Sequence, residues 1–163
     1  MPSFDIVSKV DTQTLDNAIN NAKKEILNRY DFNGSKSSVE LDKKSNVITI
    51  ITEDDMRLKA IQDSIISRVM KQDIDPKSLD FDEDYQTSGN MIRKEISVKQ
   101  GLDKEAAKKL VAKIKSSGLK VQSSIMDDQV RVVAKKIDDL QAVIALCKTE
   151  SFEQPLQFIN MRN

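Results

Sequence analysis

Residues 120–136 read KVQSSIMDDQVRVVAKK, and this stretch decides the fold because it predicts a β-hairpin. Apolar and polar residues alternate on both sides of Asp127-Asp128, which is the period of strands with one buried face. The two aspartates are a short polar connection of the kind that joins antiparallel strands. We therefore expect two paired strands, at residues 120–126 and 129–136.

The hairpin lies within a longer pattern of strand, helix, two strands, helix and strand that covers residues 91–162, and residues 4–83 repeat the same order. A βαββαβ unit of this kind forms an open antiparallel sheet with both helices on one face. The sequence thus predicts an α+β protein of two tandem ferredoxin-like domains. The polar, turn-prone stretch 84–90 places their boundary, so we expect a first domain at 1–87 and a second at 88–163.

The two halves of the sequence carry opposite charge. Residues 1–90 hold 12 Lys and Arg against 17 Asp and Glu, whereas residues 91–163 hold 14 against 9. A basic second half can attract phosphates, which is typical of proteins that bind nucleic acids or other anions. Alternatively, the opposite charges dock the two halves on each other.

Strand alternation predicts which side chains of the second half point away from the helices. If Ile92, Val121 and Val130 face the helices, their polar neighbours face outward. An open sheet face with these residues suits a phosphate-bearing ligand. The alternative is an ordinary solvated sheet face. We expect Arg131, as an exposed side chain, to carry little folding energy. The predicted outward set is Arg93, Lys99, Lys120, Gln122, Ser124, Arg131 and Lys135, and from it we take Arg93, Lys120, Gln122 and Arg131 as candidate ligand contacts.

Several functional classes find no support in the sequence. The chain has no histidine and one cysteine, which excludes Ser-His-Asp and Cys-His catalysis and histidine-ligated metals. No glycine-rich phosphate loop occurs. We therefore expect no catalytic residues, no metal and no cofactor; a hydrolase using a metal and the carboxylates of residues 73–84 is a third, weaker hypothesis. No apolar run approaches the roughly 20 residues of a membrane span, and no signal segment opens the chain, so we expect a cytoplasmic protein.

Seven blocks, distributed in order over essentially the whole chain, point to a known family: residues 2–9 (PSFDIVSK), 29–35 (RYDFNGS), 88–96 (SGNMIRKEI), 120–125 (KVQSSI), 128–132 (DQVRV), 135–141 (KKIDDLQ) and 155–158 (PLQF). With these blocks the sequence resembles the YajQ family of bacterial nucleotide-binding proteins. The resemblance implies tandem ribonucleoprotein-like domains, a cytosolic location and nucleotide binding, with cyclic di-GMP bound by part of the family. In some members the strands of the two domains interleave.

Base stacking in the manner of an RNA-recognition motif is not expected, because the strands at residues 47–51 and 130–133 contain no aromatic residue. The loop after the first helix supplies a second candidate cluster of Arg29, Phe32 and Ser35. Its two aromatic residues, Phe32 and Tyr30, are the candidates to contact a base, and the alternative role of a loop anchor packed on the core is favoured more for Tyr30 than for Phe32. The sequence as a whole favours a non-enzymatic protein that binds a nucleotide, a cyclic dinucleotide or RNA. The alternative is an adaptor that docks a protein regulator on the same sheet.

Overall fold

The computed structural model describes residues 1–149 and 152–163, and these residues form four α-helices and two antiparallel sheets, as predicted. Two short 3₁₀ turns lie at Tyr30–Phe32 and Pro76–Ser78. No helix in these ranges is long and apolar enough to cross a membrane. The helices and strands are β1 (Ser3–Val7), α1 (Thr12–Leu27), β2 (Ser38–Asp42), β3 (Val47–Thr52), α2 (Asp55–Lys71), β4 (Leu79–Asp80), β5 (Gln86–Ser88), β6 (Met91–Val98), α3 (Lys104–Ser116), β7 (Val121–Met126), β8 (Gln129–Ala134), α4 (Ile137–Thr149) and β9 (Gln157–Arg162).

The chain folds into two compact units. The central unit is Val10–Lys99, and the split unit combines Met1–Lys9 with Gln100–Asn163. In the central unit the strand order is β2-β3-β6-β4, and β5 pairs with one end of β6. In the split unit the order is β7-β8-β1-β9. In both sheets an inner position is taken by a strand that precedes the first helix of one predicted βαββαβ repeat. This strand is β6 in the central unit and β1 in the split unit.

The core of the central unit lies between its sheet and helices α1 and α2. Apolar residues at helical spacing on α1 and α2 pack against inward residues of β2, β3 and β6. Asp11 and Asp54 begin the two helices by accepting hydrogen bonds from the backbone N–H groups of Gln13 and Arg57. Both helices therefore cover one face of the sheet, and the other face carries no helix of this unit.

The split unit repeats this arrangement with α3 and α4. Inward residues of β1 and β8 pack against α3 and α4, and Phe4 meets Phe158 of β9 edge to face at 5.9 Å between ring centroids. Asp103 caps α3 by accepting the N–H of Ala106 at 2.7 Å. The helix-free face of this sheet is built from the alternate residues of β7, β8, β1 and β9.

The predicted domain boundaries do not coincide with these units. Strand β1 falls in the predicted first domain, residues 1–87, but pairs with β8 and β9 of the split unit. Strand β6 falls in the predicted second domain, residues 88–163, but pairs with β3 and β4 of the central unit. Both strands have the same alternating pattern, so local periodicity identifies each as a strand without deciding which sheet it joins.

Gly101 lies where the chain returns from the central unit to the split unit. Its φ of 81° is left-handed, and a Cβ at this position would lie 2.8 Å from the Cβ of Asp128. The N–H of Gly101 donates to the carbonyl of Ser8, and the N–H of Leu102 donates to the carbonyl of Asp128. These contacts hold the turn of the β7–β8 hairpin beside the end of β1.

Candidate functional site

The helix-free face of the split unit brings together most of the predicted ligand contacts. Strand β7 pairs with β8 so that Ser124 lies opposite Arg131 and Gln122 lies opposite Val133. Lys120 immediately precedes β7 and Lys135 immediately follows β8, at the same end of the hairpin, and both are exposed. We call this side of the sheet the basic face; it comprises Asp5, Lys120, Gln122, Ser124, Arg131, Lys135, Asn160 and Arg162.

Strands β1 and β9 extend the basic face beyond the hairpin. Asp5 of β1 lies opposite Arg131, and Arg162 of β9 lies opposite Ser3. The amide of Asn160, at the irregular part of β9, donates to Asp5 Oδ2 at 2.9 Å. Sequence reasoning missed Asp5 because it assigned β1 to the other domain, and it missed Asn160 and Arg162 because its set of outward residues did not extend to the last strand. The signal that could have found Asp5 is its position between the apolar residues Phe4 and Ile6, which predicts that its side chain points outward.

Asp5 is buried beneath the basic face and pairs with Arg131. Only 1% of Asp5 is exposed, and its Oδ1 accepts a hydrogen bond from Arg131 Nε at 3.0 Å. Burial acts to raise the pKa of Asp5, but hydrogen bonds from Arg131 and Asn160 and the charges of Arg131 and Arg162 outweigh it and hold that pKa below its ordinary value. Asp5 in turn raises the pKa of Arg131.

This pairing corrects the expectation that Arg131 carries little folding energy. Removing the guanidinium would leave a buried carboxylate without its charged donor, which costs stability. The pair nevertheless uses only the Nε of Arg131. The two terminal nitrogens have no hydrogen-bond partner among the described residues, and the side chain is 45% exposed. They retain the planar fork of donors that binds phosphate oxygens in pairs.

Arg93 lies on a strand of the other sheet and is not part of the basic face. It belongs to β6 in the central unit, where it lies opposite Ile51, and its guanidinium pairs with Glu95 at 3.1 Å. Lys99 follows the same strand.

Four carboxylates and one guanidinium occupy outward strand positions on this sheet. We call them the acidic face: Glu40, Asp42, Asp80, Arg93 and Glu95.

The loop from Arg29 to Ser35 places its two aromatic rings differently from the expectation. Phe32 is 6% exposed and belongs to the core, whereas Tyr30 is 92% exposed. The anchor is therefore Phe32 and not Tyr30, because the 3₁₀ turn points Phe32 inward. Arg29 binds Asp31 at 2.9 Å and lies 5.6 Å from the centre of the Phe32 ring.

Ser35 is committed to a network around Glu53. Its hydroxyl donates to Glu53 Oε2 at 2.7 Å, and the N–H of Lys36 donates to Oε1 at 2.6 Å. Burial acts to raise the pKa of Glu53, but these hydrogen bonds and the nearby charge of Arg57 lower it. The network orders the loop ahead of β2 and leaves its carboxylate negative, which is unfavourable for a phosphate.

The described residues offer no metal centre. No group of three or more histidine, cysteine, aspartate or glutamate side chains within residues 1–149 and 152–163 is placed to hold an ion, and these ranges include the carboxylates of residues 73–84. The cysteine, Cys147, is half-buried against the core of the split unit. The candidate chemistry of this chain is therefore that of the basic face, which presents cations and neutral hydrogen-bonding groups.

Comparison with known proteins identifies the class of protein to which this chain belongs. A family model described as "Nucleotide-binding protein YajQ-like" matches residues 2–162. A "Nucleotide-binding protein" of Cytophaga hutchinsonii is 54% identical over 162 residues, covering 99% of this chain and 100% of the relative. Proteins of the same name from Oleidesulfovibrio alaskensis and Geotalea daltonii are 51% and 54% identical, covering 100% and 99% of both chains, respectively. The chain belongs to the YajQ-like family, which confirms the resemblance found in its sequence.

Proposed function

We propose that this protein binds a nucleotide on the basic face of the split unit and does not turn it over. The observation that carries the proposal is the arrangement around Arg131, whose terminal nitrogens have no partner among the described residues and whose side chain is 45% exposed. Arg131 and Lys120 would hold phosphate oxygens, and Lys135 and Arg162 would add charge. Gln122 and Ser124 supply neutral donors and acceptors for a ribose or a base. The names of the relatives support the ligand class.

The composition of the face favours recognition through phosphate. No aromatic residue occupies an outward position on β1, β7, β8 or β9, because Phe4 and Phe158 both point into the core. A base would therefore find no ring to stack on, and the charged groups of the ligand would supply most of the affinity. Affinity that rests on phosphate contacts weakens as salt rises.

The same face is poorly suited to acid–base catalysis. Its carboxylate is Asp5, which is buried, hydrogen-bonded to two donors and held at a lowered pKa. A general base for work near neutral pH needs a pKa close to neutrality. The chain contains no histidine that could take that role. A binding function accounts for these residues better than an enzymatic one.

A calorimetric comparison of variants tests the proposal. Two variants each remove one cation of the basic face: Lys120→Ala, and the double variant Asp5→Asn/Arg131→Gln. The double variant also neutralises Asp5, so that no buried carboxylate is left without its charged partner. We expect each to weaken binding of ATP, GTP or cyclic di-GMP, whichever binds the wild type, by roughly tenfold or more, since a charge-assisted contact contributes about 1.5–3 kcal/mol.

Two controls make the comparison specific. Asp5→Asn alone retains Arg131 and should keep most of the affinity, while Arg93→Ala removes an arginine of the acidic face and should change nothing. Equal affinity in all four variants, or a loss confined to Arg93→Ala, would refute the proposed face. Binding of a short RNA in place of mononucleotides, with a steep salt dependence, would identify the ligand as a nucleic acid. A protein partner that binds this face independently of salt would instead favour the adaptor hypothesis.

A further inference from the structure

We propose that the free edge of strand β7 is a docking site for an extended acidic segment of a partner protein, which adds a strand to the sheet of the split unit. The site is distinct from the basic face, because it consists of backbone groups at the side of the sheet. It does not depend on nucleotide binding.

The backbone of β7 presents unpaired groups at regular intervals. β7 pairs with β8 on one side, and no other strand of the described residues pairs with it. Met126 and Gln129 flank a two-residue turn and therefore form a hydrogen-bonded pair. Hydrogen-bonded and non-hydrogen-bonded pairs alternate along an antiparallel ladder, so every second pair beyond the turn is hydrogen-bonded too. The N–H and C=O groups of Ser123 and Ile125 therefore point to the free edge. The N–H of Val121 agrees with this phase, because it donates to Leu119 and not to β8.

β7 lacks the features by which proteins protect edge strands. It has six residues in regular register and contains no charged residue, proline or bulge. The other outer strands of the described sheets are protected. β2 carries two charged residues, Asp42 and Glu40, and Glu40 pairs with Lys23 at 3.2 Å. The pairing of β9 is interrupted near Asn160, whose φ is 57°. β4 and β5 are short, with two and three residues. Ile125 beside the free edge is 40% exposed.

The flank of helix α3 nearest to β7 determines the chemistry of the partner. On the opposite flank, Lys109, Lys113 and Ser116 line a surface groove with Phe152. Helical geometry then places Lys104, Val111 and Lys115 on the flank toward β7. Val111 of this flank and Val121 of β7 both pack at the margin of the same core. Lys104 and Lys115 are three turns apart, roughly 16 Å along the axis at about 1.5 Å per residue, which matches the length of the strand.

These lysines favour an acidic partner over a second copy of this chain. Neither lysine forms an ion pair within the described residues. Pairing of two β7 edges about a twofold axis would place the lysine flanks of the two α3 helices face to face, and like charges in that position disfavour association. An extended segment rich in aspartate or glutamate gains both the main-chain hydrogen bonds of strand addition and the attraction of the lysines.

A peptide-binding experiment tests the proposal with the full chain. The probe is a fluorescent, end-capped ten-residue peptide that alternates glutamate with valine, and a second peptide has lysine in place of glutamate. We expect the acidic peptide to bind and the basic peptide not to bind at up to about 1 mM. Methylation of alternate backbone nitrogens in the acidic peptide should abolish binding, since it removes donors without changing charge.

Three variants locate the peptide. Ser123→Pro removes an edge-directed N–H and spares the ladder with β8, so we expect affinity to fall by roughly fivefold or more. Lys115→Glu should weaken binding about threefold or more, whereas Lys148→Glu, the same change in the last turn of α4, should leave it unaltered.

Four outcomes would overturn the proposal: full affinity in Ser123→Pro, equal binding of both peptides, insensitivity to backbone methylation, or no binding. Concentration-dependent dimerisation of the wild type that Ser123→Pro abolishes would also overturn it, because the occupant would then be a second copy. If Ser123→Pro fails to fold, the methylated peptide and the two lysine variants decide the question.

Discussion

The sheets of the split and central units share a topology, but their helix-free faces differ in charge. On the basic face, Arg131 and Arg162 occupy strand positions, lysines flank the hairpin, and the carboxylate of Asp5 lies buried beneath. On the acidic face, four carboxylates share the outward side of the sheet with Arg93, which is itself paired with Glu95. Outward residues contribute little to either core, so the same fold can carry opposite surfaces. The difference supports our proposal that a phosphate-bearing ligand binds to the sheet of the split unit.

The largest expected effect concerns the loop of the central unit, where the prediction from sequence placed a second ligand contact. Phe32→Ala should destabilise the protein by about 3–5 kcal/mol, because it empties a large side-chain volume in a close-packed core. Tyr30→Ala should change the free energy of unfolding by less than about 0.5 kcal/mol, as expected of an exposed residue. Denaturant unfolding measures both. A larger loss in Tyr30→Ala than in Phe32→Ala would show that Tyr30 and not Phe32 anchors the loop.

A smaller effect separates the arginines of the two faces. Arg131→Ala should cost about 1–3 kcal/mol of stability, because Asp5 remains buried without its charged donor. Arg93→Ala breaks an exposed pair and should cost less than about 1 kcal/mol. Thermal or denaturant melts give both values. Adding Asp5→Asn to Arg131→Ala should recover part of the loss, and failure of that rescue would show that the cost does not come from the stranded carboxylate.

The smallest effect is the dependence of this pair on pH. The pKa of Asp5 is lowered in the folded protein, so the folded state binds this proton less readily than the unfolded chain. Asp5 therefore contributes stability above the ordinary aspartate pKa of about 3.9, and this contribution is lost as the pH falls through the lowered folded-state value. The stability difference between wild type and Asp5→Asn should shrink across that range in acid titrations of unfolding. A difference that stays constant from neutral pH down to pH ~2 would contradict the pairing.

The comparison of the two faces also shows how far the sequence could predict the site. Alternation along residues 120–136 correctly placed Gln122, Ser124 and Arg131 on one face, because β7 and β8 are joined by a short turn and their register follows from it. Arg93 obeys the same alternation, but its strand joins the other sheet. The buried partner of Arg131 was missed because Asp5 is more than one hundred residues away in the chain.

The sequence by itself determined the order of the helices and strands apart from β5, which lies in the stretch 84–90 that was predicted to be a domain boundary. It also determined the inward and outward faces of the predicted helices and strands and the family to which the chain belongs. These features depend on periodicity over a few residues and on local capping, as at Asp103. Only the tertiary structure decided that β1 and β6 exchange sheets, that Phe32 and not Tyr30 enters the core, and that Asp5 holds Arg131. The physical reason is that strand pairing and burial are settled by contacts between distant segments, and several arrangements satisfy the same local pattern.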